Sequence, residues 1–284
     1  MKIAAAAYPL DFLTDWAGYA AKLTAWVQDA AGQGADLLVF PEYGAMELAS
    51  LGGADVAADL ERALHEVARH RPAVDALHLD LAARYGVHIL GASGPVFAGP
   101  RPVNRATLYG PLGIVGHQDK LIMTRFERET WDVTAGTSLP VFDTPFGRIG
   151  VLICYDSEFP LLARRMVEQG AEILLVPSCT DSLAGFTRVR VGAMARALEN
   201  QCITVQAPTV GLAAWCPAVD ENVGSAAIYG PPDHGFPPTG ILAETALNQP
   251  GWAMAEVKLA LIHEVRRNGG VLNHLHWAEQ HDRL

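Results

Sequence analysis

Cysteine is scarce in this chain: four residues in 284, at Cys154, Cys179, Cys202 and Cys216, with no C-x-x-C pair among them. That is too few for a disulfide-stapled scaffold, and it reads as a set of free thiols in a reducing cytoplasm. Long apolar runs are missing too, so no segment is expected to span a membrane. The N-terminal stretch Met1-Lys-Ile-Ala-Ala-Ala-Ala-Tyr-Pro-Leu-Asp11 is short and interrupted by Pro9 and Asp11. A strand leading to a helix explains it better than a signal peptide does. Positive charge is in deficit, 21 Lys and Arg against 31 Asp and Glu for a formal net charge of −10, which argues against a nucleic-acid-binding face. The ten histidines show no H-E-x-x-H or other metal-ligand spacing, and Asn273-His-Leu-His276 reads as a surface tail. The glycines between Gly110 and Gly116 make turns, with no strand, Gly-rich loop and helix in succession to cradle a phosphate. No internal repeat, linker, low-complexity segment or run of like charge stands out.

What the chain does have is apolar mass. Half of its residues are hydrophobic and 18% are charged, ample for one well-buried core. One domain is expected over residues 1–284, its core in 1–258 and a helix and tail in 259–284. Strand patterns fall at 3–7, 36–40, 87–92, 172–176 and 203–207. Helices are predicted at 15–31, at 54–85 with a break near Arg71-Pro72, at 161–169 and at 187–200. Two hairpins are signalled, around Gly110-Pro-Leu-Gly113 and around Thr144-Pro-Phe-Gly147. Segments 225–229, 240–243 and 253–257 read as a closing antiparallel set before a short helix over 259–267. Hairpins and βα units together favour a mixed α/β sheet, or two packed sheets, with helices outside.

Cys154 sits where the apolar run Ile149–Ile153 stops, in Gly150-Val-Leu-Ile-Cys-Tyr-Asp-Ser-Glu-Phe-Pro160. Ser157 reads as the N-cap of a helix, with Pro160 in its first turn and Gly170 at its stop. A thiol on such a turn lies near free backbone N–H groups and the positive end of a helix dipole, both of which favour thiolate. A free cysteine considered alone is more often just buried. Glu42 and Lys120 also stand at the C-terminal ends of predicted strands. Singly, such a glutamate is usually a solvated loop charge and such a lysine a surface one. In α/β sheets, however, reactive groups collect in the crevice outside the strand ends, where side chains distant in sequence can meet.

The contexts of these three residues resemble the nitrilase superfamily of carbon–nitrogen hydrolases. The matching motifs are Leu38-Val-Phe-Pro-Glu42, Gln118-Asp-Lys-Leu121 and Gly150-Val-Leu-Ile-Cys-Tyr-Asp156, in the family's order and approximate spacing. Ala195-Arg-Ala-Leu-Glu-Asn-Gln201 is similar to the family's segment after the catalytic half, and the resemblance runs from Ile3 to about Val257. It implies a four-layer αββα sandwich whose subunits pair through helices next to the cysteine, as homodimers or larger assemblies. It also implies a catalytic triad of Glu42, Lys120 and Cys154 that uses no metal and no organic cofactor. Glu42 would be the general base and Cys154 the nucleophile that carries a thioester. Lys120 and the backbone N–H of Tyr155 would hold the oxyanion. A second glutamate commonly supports the first in this family. Phe126-Glu-Arg-Glu129 offers two, of which Glu129, with Gly136 following, fits the family pattern better than Glu127.

Departures from the pattern bear on substrate. Tyr155 stands where nitrile-hydrolysing members usually carry Trp, which leans towards amide or carbamoyl substrates. Glu158 replaces an arginine of amidase-like members, and Arg188-Val189 replaces a His-Trp pair, both expected at the pocket mouth. Arg188 or Arg190 would bind a substrate carboxylate, or pair with Glu158 or with another subunit, and Glu158 would alternatively suit a cationic substrate. Tyr43, Trp131, Trp215 and Cys179 are candidate pocket walls, and Cys202 reads as core. The expectation is a cytoplasmic thiol amidohydrolase of a small linear amide or N-carbamoyl compound, with no nucleic-acid or membrane partner. An acyl transferase using the same thioester, a nitrilase, and an inactive binding or assembly protein of the same fold are the alternatives. No histidine has a motif context that pairs it with Cys154 in a papain-like arrangement.

Overall fold

Fourteen strands and nine α-helices span residues 1–284 of the computed structural model. The first half runs β1 (Lys2–Pro9), α1 (Trp16–Gly32), β2 (Leu37–Val39), α2 (Ala54–Ala57), α3 (Leu60–Arg69) and α4 (Arg71–Tyr85). It continues with β3 (His88–Leu90), β4 (Gly94–Phe97), β5 (Pro102–Gly110), β6 (Gly113–Asp119) and α5 (Arg125–Glu129). The second half begins with β7 (Val141–Thr144), β8 (Gly147–Val151), α6 (Pro160–Glu168), β9 (Ile173–Ser178), α7 (Leu183–Asn200) and β10 (Ile203–Leu212). It ends with β11 (Glu221–Asn222), β12 (Ala227–Tyr229), β13 (Ile241–Glu244), β14 (Gly251–Glu256), α8 (Leu259–Asn268) and α9 (Asn273–His276). No helix is long and apolar enough to cross a membrane.

Each half builds a sheet around three parallel strands. β1, β2 and β3 lie side by side, and antiparallel β14, β5, β6 and β4 extend them. β8, β9 and β10 form the second parallel core, extended by antiparallel β7, β12 and β13. The two sheets join edge to edge where Tyr8 and Pro9 of β1 pair with Thr209 and Val210 of β10, and the strands curl into two layers. The alternation of β1 shows the layering. Ala4, Ala6 and Tyr8 pack with Leu23 and Val27 of α1, Leu64 of α3 and Leu81 of α4. Ile3, Ala5 and Ala7 point the other way, into a core shared with Val151, Ile153, Ile173 and Val205 of the second sheet. Leu152 and Leu174 then face outward onto Ala163, Met166 and Val167 of α6. With both faces buried, a strand gains nothing from polar alternation, which is why these segments read as continuous apolar runs. The result is helix, sheet, sheet, helix: the expected four-layer αββα sandwich.

Several local expectations change. The segment 54–85 has the expected break, at His70 between α3 and α4, and a further one before α3, which Asp59 caps. The closing set is split: β12 pairs with β13, but β14 crosses to the other sheet and pairs with β1. Ser157 is not an N-cap. Cys154–Glu158 forms a 3-10 turn, and α6 starts afterwards with Pro160 at its first position and Phe159 before it.

Candidate active site

Cys154 emerges three residues after β8 with a left-handed backbone, φ +50°. Such a conformation costs a non-glycine residue about 1–3 kcal/mol and persists only where the surroundings fix it. Here they do. Ser157 Oγ donates to the Cys154 carbonyl at 2.6 Å, and Arg196 of α7 donates to the Ser157 carbonyl at 2.8 Å. Gly192 lets α7 press on this turn, since a Cβ there would sit 3.0 Å from the Ser157 carbonyl oxygen. On the opposite side, buried Asp156 accepts from the backbone N–H groups of Leu121 and Ile122, at 3.1 and 2.8 Å. The nucleophile turn is therefore tied directly to the segment that carries Lys120.

Glu42 follows β2 and Lys120 follows β6, so both side chains enter from the first sheet. Lys120 Nζ donates to Glu42 Oε1 at 2.7 Å and to Glu127 Oε2 at 2.6 Å, all three side chains being buried. Tyr43 OH donates to Glu127 Oε1 at 2.8 Å, and the backbone N–H and hydroxyl of Thr124 both donate to Oε2 at 2.8 Å. Asn104 Nδ2 donates to Glu42 Oε1 at 3.1 Å.

The structure places Glu127, not Glu129, against Lys120. Glu129 is exposed and pairs with Arg125 Nε at 2.7 Å. The reason is helical geometry: two residues apart on α5 point to nearly opposite sides, and Thr124 turns position 127 inward through a capping box. The pattern Thr124-x-x-Glu127 was the available signal. Asn104 had none, because its reach to Glu42 depends on where β5 lies in the sheet.

The charges divide the two glutamates. Burial, only partly offset by Lys120 and reinforced by Glu127, raises Glu42 to about 7. Burial also works to raise Glu127, but Lys120 and the hydrogen bonds from Thr124 and Tyr43 override it and hold this carboxyl below its usual range. Lys120 is kept protonated by Glu42 and Glu127 in spite of burial. Burial and the nearby Glu42 carboxylate push the Cys154 thiol well up. The expected dipole-stabilised thiolate is thus corrected: α6 begins six residues later, and the sulfur is desolvated beside an anion. A neutral thiol next to a carboxyl titrating near neutrality can hand over its proton as it reacts, and an ammonium alongside can receive developing negative charge.

These groups share a cavity of about 450 Å³. Tyr43, Trp131, Tyr155 and Cys179 line it, whereas Trp215 packs against Phe12 away from it. The Cys179 carbonyl accepts from the Cys154 thiol at 3.8 Å. The Cys179 thiol itself donates to Asn222 Oδ1 at 3.4 Å, and burial raises it to about 12, as suits a wall. At the mouth, Arg188 Nε lies 3.6 Å from Glu158 Oε1, while Arg190 turns out of the pocket to Glu244 at 2.8 Å. No three His, Cys, Asp or Glu side chains gather in an arrangement that could hold a metal ion.

Comparison with known proteins agrees with this picture. YhcX, a probable hydrolase of Bacillus subtilis, is 33% identical over 276 residues, covering 95% of this chain and 52% of its own. The deaminated glutathione amidase of Yersinia enterocolitica is 34% identical over 144 residues, 46% of this chain and 50% of its own. The chain spans about half the length of the curated relatives it matches. Nit3 of Saccharomyces cerevisiae, a member of branch 10 of the nitrilase superfamily, shares the fold with a TM-score of 0.73 at 19% identity, over 94% of this chain and 93% of that one. The family model for carbon-nitrogen hydrolases matches residues 2–267, nearly the whole αββα sandwich and every buried group of the cavity, and the chain belongs to that family, the nitrilase superfamily.

Proposed function

We propose that the protein is a cysteine-dependent hydrolase of C–N bonds other than peptide bonds, acting on a small linear amide or N-carbamoyl compound. The observation that carries this reading is the convergence of Glu42, Lys120 and the Cys154 thiol in one cavity. Glu42 takes the thiol proton as sulfur adds to the substrate carbonyl, whose π electrons move onto oxygen. Lys120 Nζ and the backbone N–H of Tyr155 stabilise that oxyanion. When it collapses, the C–N bond breaks, Glu42 returns its proton to nitrogen, and ammonia or amine leaves a thioester on Cys154. Water then gives a proton to Glu42 and adds to the thioester. When this second adduct collapses, the C–S bond breaks, Glu42 returns its proton to sulfur, and the acid leaves with the thiol and the Glu42 carboxylate restored. Glu127 keeps Lys120 charged and in place throughout.

An amide substrate draws support from the relative named as deaminated glutathione amidase. The Glu158–Arg188 pair at the mouth would sort substrates by charge. Self-association belongs to the same proposal, because Leu161 on α6 and Leu183 and Val191 on α7 expose apolar side chains beside the nucleophile turn, and a homodimer would cover them. Light scattering on wild type and Val191→Glu tests this: a dimer that the substitution splits is expected, and a wild-type monomer refutes it.

The enzymatic test is ammonia release from aliphatic amides, ω-amides, N-carbamoyl compounds and nitriles, with added hydroxylamine to trap acyl transfer. Hydrolysis of one amide or carbamoyl class, abolished in Cys154→Ala, is the expected result. Turnover that survives Cys154→Ala overturns the reading. So does silence across the panel together with a Cys154 inert to iodoacetamide.

A further inference from the structure

Glu42 is held through one oxygen. Lys120 Nζ and Asn104 Nδ2 both donate to Oε1, at 2.7 and 3.1 Å, and neither donates to Oε2. Asn104 is completely buried in β5, and its main chain serves the site as well, its carbonyl accepting the Lys120 backbone N–H at 2.9 Å. One residue therefore fixes the carboxylate of Glu42 and the backbone of Lys120. Its own Oδ1 is buried without any partner. A sheet interior ordinarily avoids such an orphan, since an apolar side chain of similar size fills the space without an unsatisfied acceptor. An amide kept there with one half unused points to work done by the other half.

We propose that Asn104 is a positioning residue that pins Oε1 of Glu42, assigns Oε2 to proton exchange with Cys154, and biases Glu42 towards its ionised form. The proposal rests on the reading of Glu42 as general base. Two N–H donors occupy Oε1 and restrict rotation of the carboxyl group, so Oε2 is the oxygen left to accept the thiol proton. A donor on a carboxylate also stabilises its charged form and lowers its pKa. The charged and titratable groups facing Glu42 are Lys120, Glu127, Cys154, Tyr43 and Cys179. Asn104 is a neutral donor on the same carboxylate, so removing it tunes Glu42 while leaving the charge count of the site unaltered.

The test is the rate of Cys154 alkylation by iodoacetamide against pH, in wild type, Asn104→Leu, Asn104→Ser and Glu42→Gln, with folding of each followed by thermal melting. Kinetics on the best amide of the panel run alongside. Loss of the donor is expected to move the acidic limb of alkylation and of kcat/KM up by about one pH unit. Below the limb kcat falls about tenfold, while KM stays within about twofold because Asn104 does not line the cavity. An unmoved limb in either folded Asn104 variant, or a loss confined to KM, overturns the proposal. Glu42→Gln separates the two levels. If it retains the wild-type limb, the base has been misassigned and the role of Asn104 falls with it. If it abolishes the limb while the Asn104 variants leave it in place, only the role of Asn104 falls.

Discussion

Replacing Glu127 with glutamine keeps the shape of the side chain and removes one of the two anions around Lys120. Its consequence for Glu42 follows from distance. Both carboxylates touch Lys120 Nζ, at 2.7 and 2.6 Å, so their contacting oxygens lie no more than about 5 Å apart. Two like charges at about 5 Å and an effective dielectric of about 20 repel by about 3 kcal/mol, or about 2 pKa units. Glu42 is raised to about 7 by burial, with Glu127 adding to the rise. Removing the Glu127 charge should let it fall to about 5. A carboxylate base works when ionised, so the acidic limb of kcat/KM moves to lower pH. The weaker base also lowers the plateau, by about tenfold. The assay is kcat/KM for ammonia release measured from about pH 5 to about pH 9. A limb that stays in place or moves up would refute the electrostatic account. Glu129→Gln, which changes an exposed residue outside the cavity, should leave the profile as it is, and an equal shift there would refute the assignment of the two glutamates.

Two further outcomes are specific. Gly136 donates its N–H to the Lys120 carbonyl at 2.8 Å, and a Cβ there would meet the Asp119 carbonyl oxygen at 2.8 Å and Asp119 Cβ at 2.6 Å. Gly136→Ala should cost about 1–3 kcal/mol by thermal or urea unfolding, and at least about tenfold in kcat as Lys120 is displaced. Wild-type kcat in this variant would show that the backbone of Lys120 is not positioned through Gly136. Arg188→Ala frees Glu158 at the mouth. Because the pair is solvent-screened, the change should be only about two- to fivefold, lowering KM for amine-bearing amides and raising it for carboxylate-bearing ones. A change in kcat instead would place Arg188 in the chemistry rather than at the entrance.

The difference between Glu127 and Glu129 shows where local pattern stops being enough. The residues around Glu42, Lys120 and Cys154 are short contiguous motifs, and Glu42 and Cys154 each follow an apolar run, so their strand-end positions could be read without knowing what lay next to them. The layers were legible for a related reason. β1 and its parallel neighbours are buried on both faces, which leaves an uninterrupted apolar signature. β14 carries no comparable mark of its destination. Its antiparallel pairing with β1 rather than β13 is set by which edge remains open once the two sheets curl together.

By itself, then, the sequence determined the α/β class and the strand-end positions of Glu42 and Cys154, because periodicity and strand ends are local properties. Only the tertiary structure decided that Glu127 faces Lys120, that Asn104 reaches Glu42, that Arg188 chooses Glu158, and that burial beside Glu42 pushes the Cys154 thiol up. Each of these depends on register between strands, on the facing of a short helix, or on exclusion of water. A one-residue slip reverses the first, two residues along α5 reverse the second, and the last exists only once the layers have closed over the site.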